Sequence, residues 1–259
     1  MHNNFHIPWA KPYLGDEEIA FLPRHGAGHR LTPSEVNYRA NLHALKQLGV
    51  TRVIIVSAVG SMKEEIEPGH LALPTQFIDR TFARQKSFFG EGVVAHVAFA
   101  DPVCPQLHQH LQASCFAAGA RVHAGGTYVC IEGPQFSTRA ESELHRAWGG
   151  DLIGMTAMPE AKLAREAEIC YALVALVTDH DCWRPRKADL DGVRLLEEII
   201  ANVRAATETS RNASITSGCS CTPVDIVKPG ATQLTSTLSL PSSFASARVN
   251  ATIAPFDVT

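Results

Sequence analysis

Two stretches of the chain are apolar at almost every position: residues 52–58 read RVIIVSA and residues 170–179 read CYALVALVTD. A strand covered on both faces carries this pattern, and such strands belong to the interior of parallel sheets. Shorter β-rich runs surround them: IAFLPRHG at 19–26, LALPTQFI at 71–78, RVHAGGTYVCIEG at 121–133 and DLIGMT at 151–156. Helical patterns lie between. Thr32, Pro33 and Glu35 stand at the N-cap, N1 and N3 spacing of a capping box, predicting a helix that starts at Thr32 and stops at Gly49. Further helices are predicted over 105–119, over 138–149 with Gly149 as the stop, from Pro159 through PEAKLAREAEI, and over 190–207. Strands alternating with helices imply an α/β fold: one domain with a mixed, mostly parallel sheet flanked by helices. Residues 1–18 are polar and irregular, residues 19–208 carry the domain, and residues 209–259 lose all helical period and become rich in Ser and Thr. That last segment reads as a disordered tail.

Composition narrows the function classes. The 259 residues are 45% hydrophobic and 19% charged, enough to build a sizeable core. A net charge of −3 supplies no broad basic field for nucleic acid or an anionic membrane. No apolar run reaches the ~18 residues of a membrane span, and MHNNFHIPWAKPY lacks the apolar heart of a signal peptide. The seven cysteines form no CxxC pair, which points away from a zinc site or a disulfide scaffold and toward reduced thiols in the cytoplasm.

In parallel α/β sheets, ligands gather at the C-terminal ends of strands. Four clusters of chemistry-bearing residues fall at such ends: Arg24-His25-Gly26, Ser57-Ala58-Val59-Gly60-Ser61, Met155-Thr156 and Asp179-His180-Asp181. Singly, each is as well explained by a surface pair, a packing turn or a helix cap; together they describe a site. Arg24 offers a planar fork of donors suited to phosphate, and His25, Ser57, Thr156 and the backbone near Ala58 add more. Asp179 and Asp181 have the opposite sign and suit a nitrogen-rich ring; a proton held on one of them can pass to a leaving heterocycle. In IEGPQFS, Phe136 either stacks on a flat ring or fills the core, and Ser137 can bond the ring's edge.

RHGAGHRLTPSEVNYRANLHALK, SAVGSMKEEIEPG, QFIDRT, IEGPQFSTRAESE, GMTAMPEAKLAREAEICYA and VTDHDCW occur in this order. They resemble the methylthioadenosine phosphorylases of the trimeric purine nucleoside phosphorylase family over residues 15–207. The resemblance implies phosphorolysis of 5′-methylthioadenosine to adenine and 5-methylthioribose-1-phosphate, with inorganic phosphate as co-substrate and neither metal nor organic cofactor. It assigns phosphate to Arg24, His25, Ser57, Ala58 and Thr156, and the ribose to Met155. It frames the base with Phe136, Ser137, Asp179 and Asp181. Asp179 becomes the catalytic group beside N7. It also implies a homotrimer, in which His96 reaches into a neighbour's 5′ pocket.

Departures from the family pattern qualify this picture. The family opens with a strand and a glycine-rich phosphate loop of the form IGGSGL. The residues before Arg24 hold no such motif, so that strand and loop are expected to be missing, with strand edges exposed. His70 stands where the family usually has Asp, and RPRKADLDG after Trp183 is more basic than usual. Two alternatives stay open: a phosphorylase for 6-oxopurine nucleosides, against which Asp179 and Asp181 argue, and a truncated, non-catalytic nucleoside-binding homologue.

Overall fold

A computed structural model of the chain describes residues 13–14, 17–20, 22–26 and 28–184, together with short strands at 226–227 and 249–251. The predicted helix at 190–207, most of residues 1–18 and most of the 209–259 segment lie outside the described residues. Along the chain run β1 (Tyr13–Leu14), β2 (Glu17–Ala20), α1 (Tyr38–Gln47), β3 (Val50–Ser61), β4 (Leu71–Leu73), β5 (Gln76–Arg80), β6 (His96–Val97) and α2 (Pro105–Ala117). There follow β7 (Val122–Ala124), β8 (Thr127–Ile131), α3 (Arg139–Ala147), β9 (Leu152–Gly154), α4 (Glu160–Glu166), β10 (Cys170–His180), β11 (Ile226–Val227) and β12 (Val249–Ala251).

The two apolar runs pair with each other. β3 and β10 lie parallel from Arg52 beside Cys170 to Ser61 beside His180. Alternate residues of each strand feed opposite layers. Val53, Tyr171, Leu173, Ala175 and Val177 pack with α1 and α4, whereas Ile54, Val56, Ala172, Val174 and Leu176 pack with α2. This two-sided burial is why both strands read as continuous apolar runs. Among the described residues the sheet has ten strands. Its spine runs β1-β2-β12-β3-β10-β4-β7, and β9, β8 and β5 branch from the far end of β3. Parallel pairs join β4 to β7, β5 to β8 and β8 to β9; β10 meets β4, and β3 meets β9, antiparallel. The expected mixed α/β sheet with flanking helices is what the chain forms.

Several boundaries differ from the sequence pattern, each for a local reason. The first run ends as a strand at Ala20, and Arg24-His25-Gly26 occupies a turn closed by Gly26 N–H donating to the Pro23 carbonyl at 2.9 Å, with Gly26 at φ +77°. The Thr32/Glu35 exchange does form, Thr32 N–H donating to Glu35 Oε2 at 2.9 Å, but it closes a turn ahead of the helix. α1 begins at Tyr38, capped by Asn37, whose side chain accepts from Ala40 N–H at 3.1 Å. Pro74 divides 71–78 into β4 and β5, and Gly125-Gly126, at φ +96° and +93°, divides 121–133 into β7 and β8. Strand edges are expected to be exposed; among the described residues β12 lies between β2 and β3, pairing parallel with both. Cys115 and Cys130 are buried thiols, but Cys170, half-buried at the start of β10, is disulfide-bonded, so the thiols are not uniformly reduced.

Asp79 ties the branch strands to α4. It accepts from Lys162 Nζ at 2.5 Å, Lys86 Nζ at 2.9 Å, and Thr81 Oγ1 and N–H at 2.6 and 2.9 Å. Burial pushes this carboxyl up, but the bonds from Lys162, Thr81 and Lys86 outweigh it and hold it at about 2. A depressed acid contributes stability above its unfolded value of 3.8 and loses it as pH falls through about 2. Asp79→Asn should therefore lower unfolding free energy at pH 7 by on the order of 2 kcal/mol. In urea titrations the gap to wild type should close between pH 4 and pH 2; a gap independent of pH would refute this account.

Candidate active site

Arg24 reaches inward from its turn and is nearly buried. Nη1 donates to Glu160 Oε2 at 3.2 Å, and Nη2 donates to Thr156 Oγ1 at 2.8 Å and to the Val56 carbonyl at 3.2 Å. The hydroxyls of Ser57 and Thr156 stand 3.2 Å apart. Four of the residues assigned to phosphate, Arg24, Ser57, Ala58 and Thr156, thus meet where β3 approaches the turn after β9. His25 is beside them in sequence but turns to Leu31, its Nδ1 2.9 Å from that carbonyl, and its ring stacks on His29 at 4.2 Å. Burial, with Arg24 and His29 adding to it against the Leu31 bond, lowers His25 to about 4, so the ring is neutral at physiological pH.

Glu160 is the residue that the sequence reading missed here. It lies in the first turn of α4, is 3% exposed, and provides the countercharge of Arg24. Burial pushes its carboxyl up, and Arg24 and Arg84 offset part of that rise. Its sequence signal was an acidic residue on a helix face otherwise made of Ala161, Leu163 and Ala164, all buried. Beneath the pair sit two buried tyrosines. Tyr128 places its hydroxyl against Gly154, where a Cβ would fall 2.1 Å away, and Tyr171 has no hydrogen-bond partner for its hydroxyl among the described residues.

The acidic cluster is shaped by a bulge. The β3–β10 register shifts between Val177 and Asp179, leaving Thr178 as the extra residue, with its hydroxyl donating to the Val59 carbonyl at 3.1 Å and to Asp179 Oδ1 at 2.9 Å. A bulge re-aims the side chains that follow it. Here both aspartates come to Gly60: a Cβ on that glycine would lie 3.7 Å from Asp179 Oδ1 and 3.6 Å from Asp181 Cβ. Asp181 is buried and accepts from Ser142 Oγ of α3 at 2.5 Å, a partner the sequence reading did not foresee. α3 is fixed at its start by a full capping box between Thr138 and Glu141.

The two clusters are bridged by β9 and the turn that follows it. Ile153 pairs with Gly60 beside the aspartates, and Thr156 touches Ser57 and Arg24. On β3, Ser57 and Gly60 are three extended residues apart, which spans ~10 Å, the scale of a nucleoside with an anion at its sugar. Met155 lies between and packs against Gly133, whose added Cβ would sit 2.5 Å from the Met155 sulfur. Phe136 is 63% exposed, which removes the core alternative, and Ser137 Oγ is buried with no partner among the described residues. His96 is exposed on β6 and makes no contact with either cluster in the described hydrogen bonds or ion pairs. Arg84, absent from the sequence reading, is almost wholly buried below Met155.

Residues 10–216 match the model of the phosphorylase superfamily. The chain belongs to this superfamily. Among relatives of this phosphorylase-superfamily chain, the S-methyl-5′-thioadenosine phosphorylase of Geobacter sulfurreducens is 61% identical over 201 residues, 77% of this chain and 70% of the relative. That of Koribacter versatilis is 53% identical over 206 residues, covering 80% and 70%. A methylthioadenosine phosphorylase from an antarctic soil metagenomic library superposes with a TM-score of 0.70 at 52% identity, over 76% of this chain and 69% of that one. The Schistosoma mansoni methylthioadenosine phosphorylase in complex with adenine gives 0.73 at 38% identity, over 79% and 78%. The fold of this superfamily member is therefore purine nucleoside phosphorylase-like, as the motifs implied.

Breaking a buried ion pair by removing one partner costs about 3–5 kcal/mol, because the other charge is left unpaired in a poor solvent. Glu160→Gln should destabilise the chain toward that range in denaturant unfolding. Glu160→Leu combined with Arg24→Met should restore most of the loss; no recovery in the double variant would mean that the pair is not what holds this end of α4.

Proposed function

We propose that the chain is a pentosyltransferase that splits 5′-methylthioadenosine with inorganic phosphate, giving adenine and 5-methylthioribose-1-phosphate. The observation that carries this is that β3 bears the arginine–hydroxyl cluster at Ser57 and the two aspartates three residues on at Gly60, with β9 and the turn after it running alongside from Ile153 to Thr156. Arg24, Ser57, the backbone at Ala58 and Thr156 hold phosphate, with His25 at the edge as a neutral ring. A phosphate oxygen forms a bond to C1′ as the C1′–N9 bond breaks. The ribosyl centre passes through an oxocarbenium-like state, stabilised by the phosphate opposite the base.

Asp179 supplies or bridges the proton that N7 of the leaving base takes up. Asp181, fixed by Ser142, completes the acceptor pair that favours a 6-amino ring over a 6-oxo one. Phe136 stacks on the base and the buried Ser137 hydroxyl bonds its edge. Met155 lies along the ribose. No metal or organic cofactor enters this scheme, which runs on positioning and charge.

The test is phosphate-dependent adenine release from 5′-methylthioadenosine, with inosine as the control. Adenine should appear only with phosphate, inosine should be a poor substrate, and Asp179→Asn should slow turnover by about 10²–10⁴-fold. Absence of release by a folded chain would overturn the enzyme reading in favour of a nucleoside-binding homologue; preference for inosine would move it to the 6-oxopurine class.

The same reading makes the chain a cytoplasmic homotrimer in which His96 reaches a neighbour's 5′ pocket. Val93 and Val94, just ahead of His96 in the chain, are 53% and 57% exposed, apolar side chains that a second copy could cover. Light scattering should give three times the 28.0 kDa chain mass, and a monomer would refute the shared pocket.

A further inference from the structure

Arg84 makes more hydrogen bonds than any functional residue named above, and it touches none of the groups assigned to phosphate or base. It lies in the segment after β5, and its side chain is 1% exposed. Its Nη1 donates to the Met155 and Met158 carbonyls, both at 2.6 Å, and to Tyr38 Oη at 3.3 Å. Its Nη2 donates to the Glu132 carbonyl at 2.5 Å, and Nε to Glu132 Oε1 and Ser34 Oγ, both at 3.4 Å. The guanidinium face lies over the Tyr38 ring, 5.5 Å from its centre.

These acceptors belong to three separate parts of the site. Met155 and Met158 bracket Thr156, the hydroxyl shared with Arg24. Glu132 begins the loop that carries Gly133, Phe136 and Ser137. Ser34 and Tyr38 belong to the turn and helix that follow Arg24. Glu132 is anchored in turn: its Oε2 accepts from Phe82 N–H at 2.7 Å and Ala83 N–H at 3.3 Å, and its Oε1 accepts from Ser34. The fork geometry matters. A guanidinium directs five N–H donors in one plane, whereas an ammonium is a compact point donor on a flexible stem.

We infer that Arg84 is the positioning residue of the site, setting the Met155–Thr156 turn and the Glu132–Ser137 loop at a fixed distance from each other. Without it, the Thr156 hydroxyl and the base loop drift independently. A displacement of about 1 Å at a reacting group can cost 10²-fold. This rests on the reaction proposed above, so the test has one arm that needs turnover and one that does not.

Arg84→Lys keeps the charge and removes the fork. In a chain folded by circular dichroism, KM for phosphate and KM for the nucleoside should each rise about tenfold or more, with kcat/KM falling 10²-fold or more. Glu132→Gln, which withdraws the carboxylate under Arg84 and leaves the fork, should raise phosphate KM about threefold, and it decides the matter if the lysine variant does not fold. A residue that only staples the fold would lower kcat in proportion to the folded fraction and leave both KM values at wild type; that outcome overturns the inference.

The second arm is amide hydrogen exchange. In either variant, exchange should quicken at residues 131–137 and 155–158 and stay unchanged along β3 and β10. Uniform quickening, or none, overturns the inference. If the wild-type chain shows no turnover, the reaction reading fails and the exchange pattern alone decides the role of Arg84.

Discussion

The parallel ladder between β3 and β10 is the constraint on which the rest depends. Both strands are covered on both faces, so their register is fixed by burial along the whole length. One end of β3 supplies Ser57 and Gly60, and the matching end of β10 supplies Asp179 and Asp181. The Thr178 bulge is the single irregularity in that ladder, and it falls where the two carboxylates are needed. The extra residue changes the face that the positions after it take relative to Val177, and its hydroxyl is bonded to Val59 and Asp179 beside Gly60.

Around this ladder, among the described residues, Arg84 is buried and Arg24 nearly so, and the physical reason is geometry rather than stability. A buried ion pair gains little or nothing over a well-packed apolar substitute. What it gives is a defined position for a planar donor. Arg24 is held by Glu160, a main-chain carbonyl and Thr156; Arg84 by Glu132 and three main-chain carbonyls. One arginine lies among the hydroxyls of the cluster proposed to hold phosphate. The other fixes the backbone that carries the surrounding groups. The two are linked through Thr156 and its neighbours Met155 and Met158, so Arg24 and the Glu132–Ser137 loop are joined by one chain of hydrogen bonds.

Much of this was legible from residues. The apolar runs at 52–58 and 170–179 announced a sheet buried on both faces, because only such strands lack alternation. Gly149 marked a helix end correctly, since a left-handed residue there suits glycine, and it sits at φ +83°. The Thr32/Glu35 pair misplaced a helix start because the same side-chain exchange serves a turn equally well. Glu160, Ser142 and Arg84 were not legible as site residues. Each acts on a partner more than 35 residues away, and single-sequence periodicity carries no information about such pairs.

The sequence by itself determined the layer order, the α/β class and the residue types needed for an anion and a nitrogen-rich ring, because these follow from local patterning and side-chain chemistry. The tertiary structure decided which of those residues converge. Arg24 meets Thr156 across 132 positions of chain, His25 turns aside to Leu31, and Phe136 stays at the surface. Convergence depends on register, on one bulge and on buried donors satisfying distant carbonyls, and those are properties of the packed chain alone.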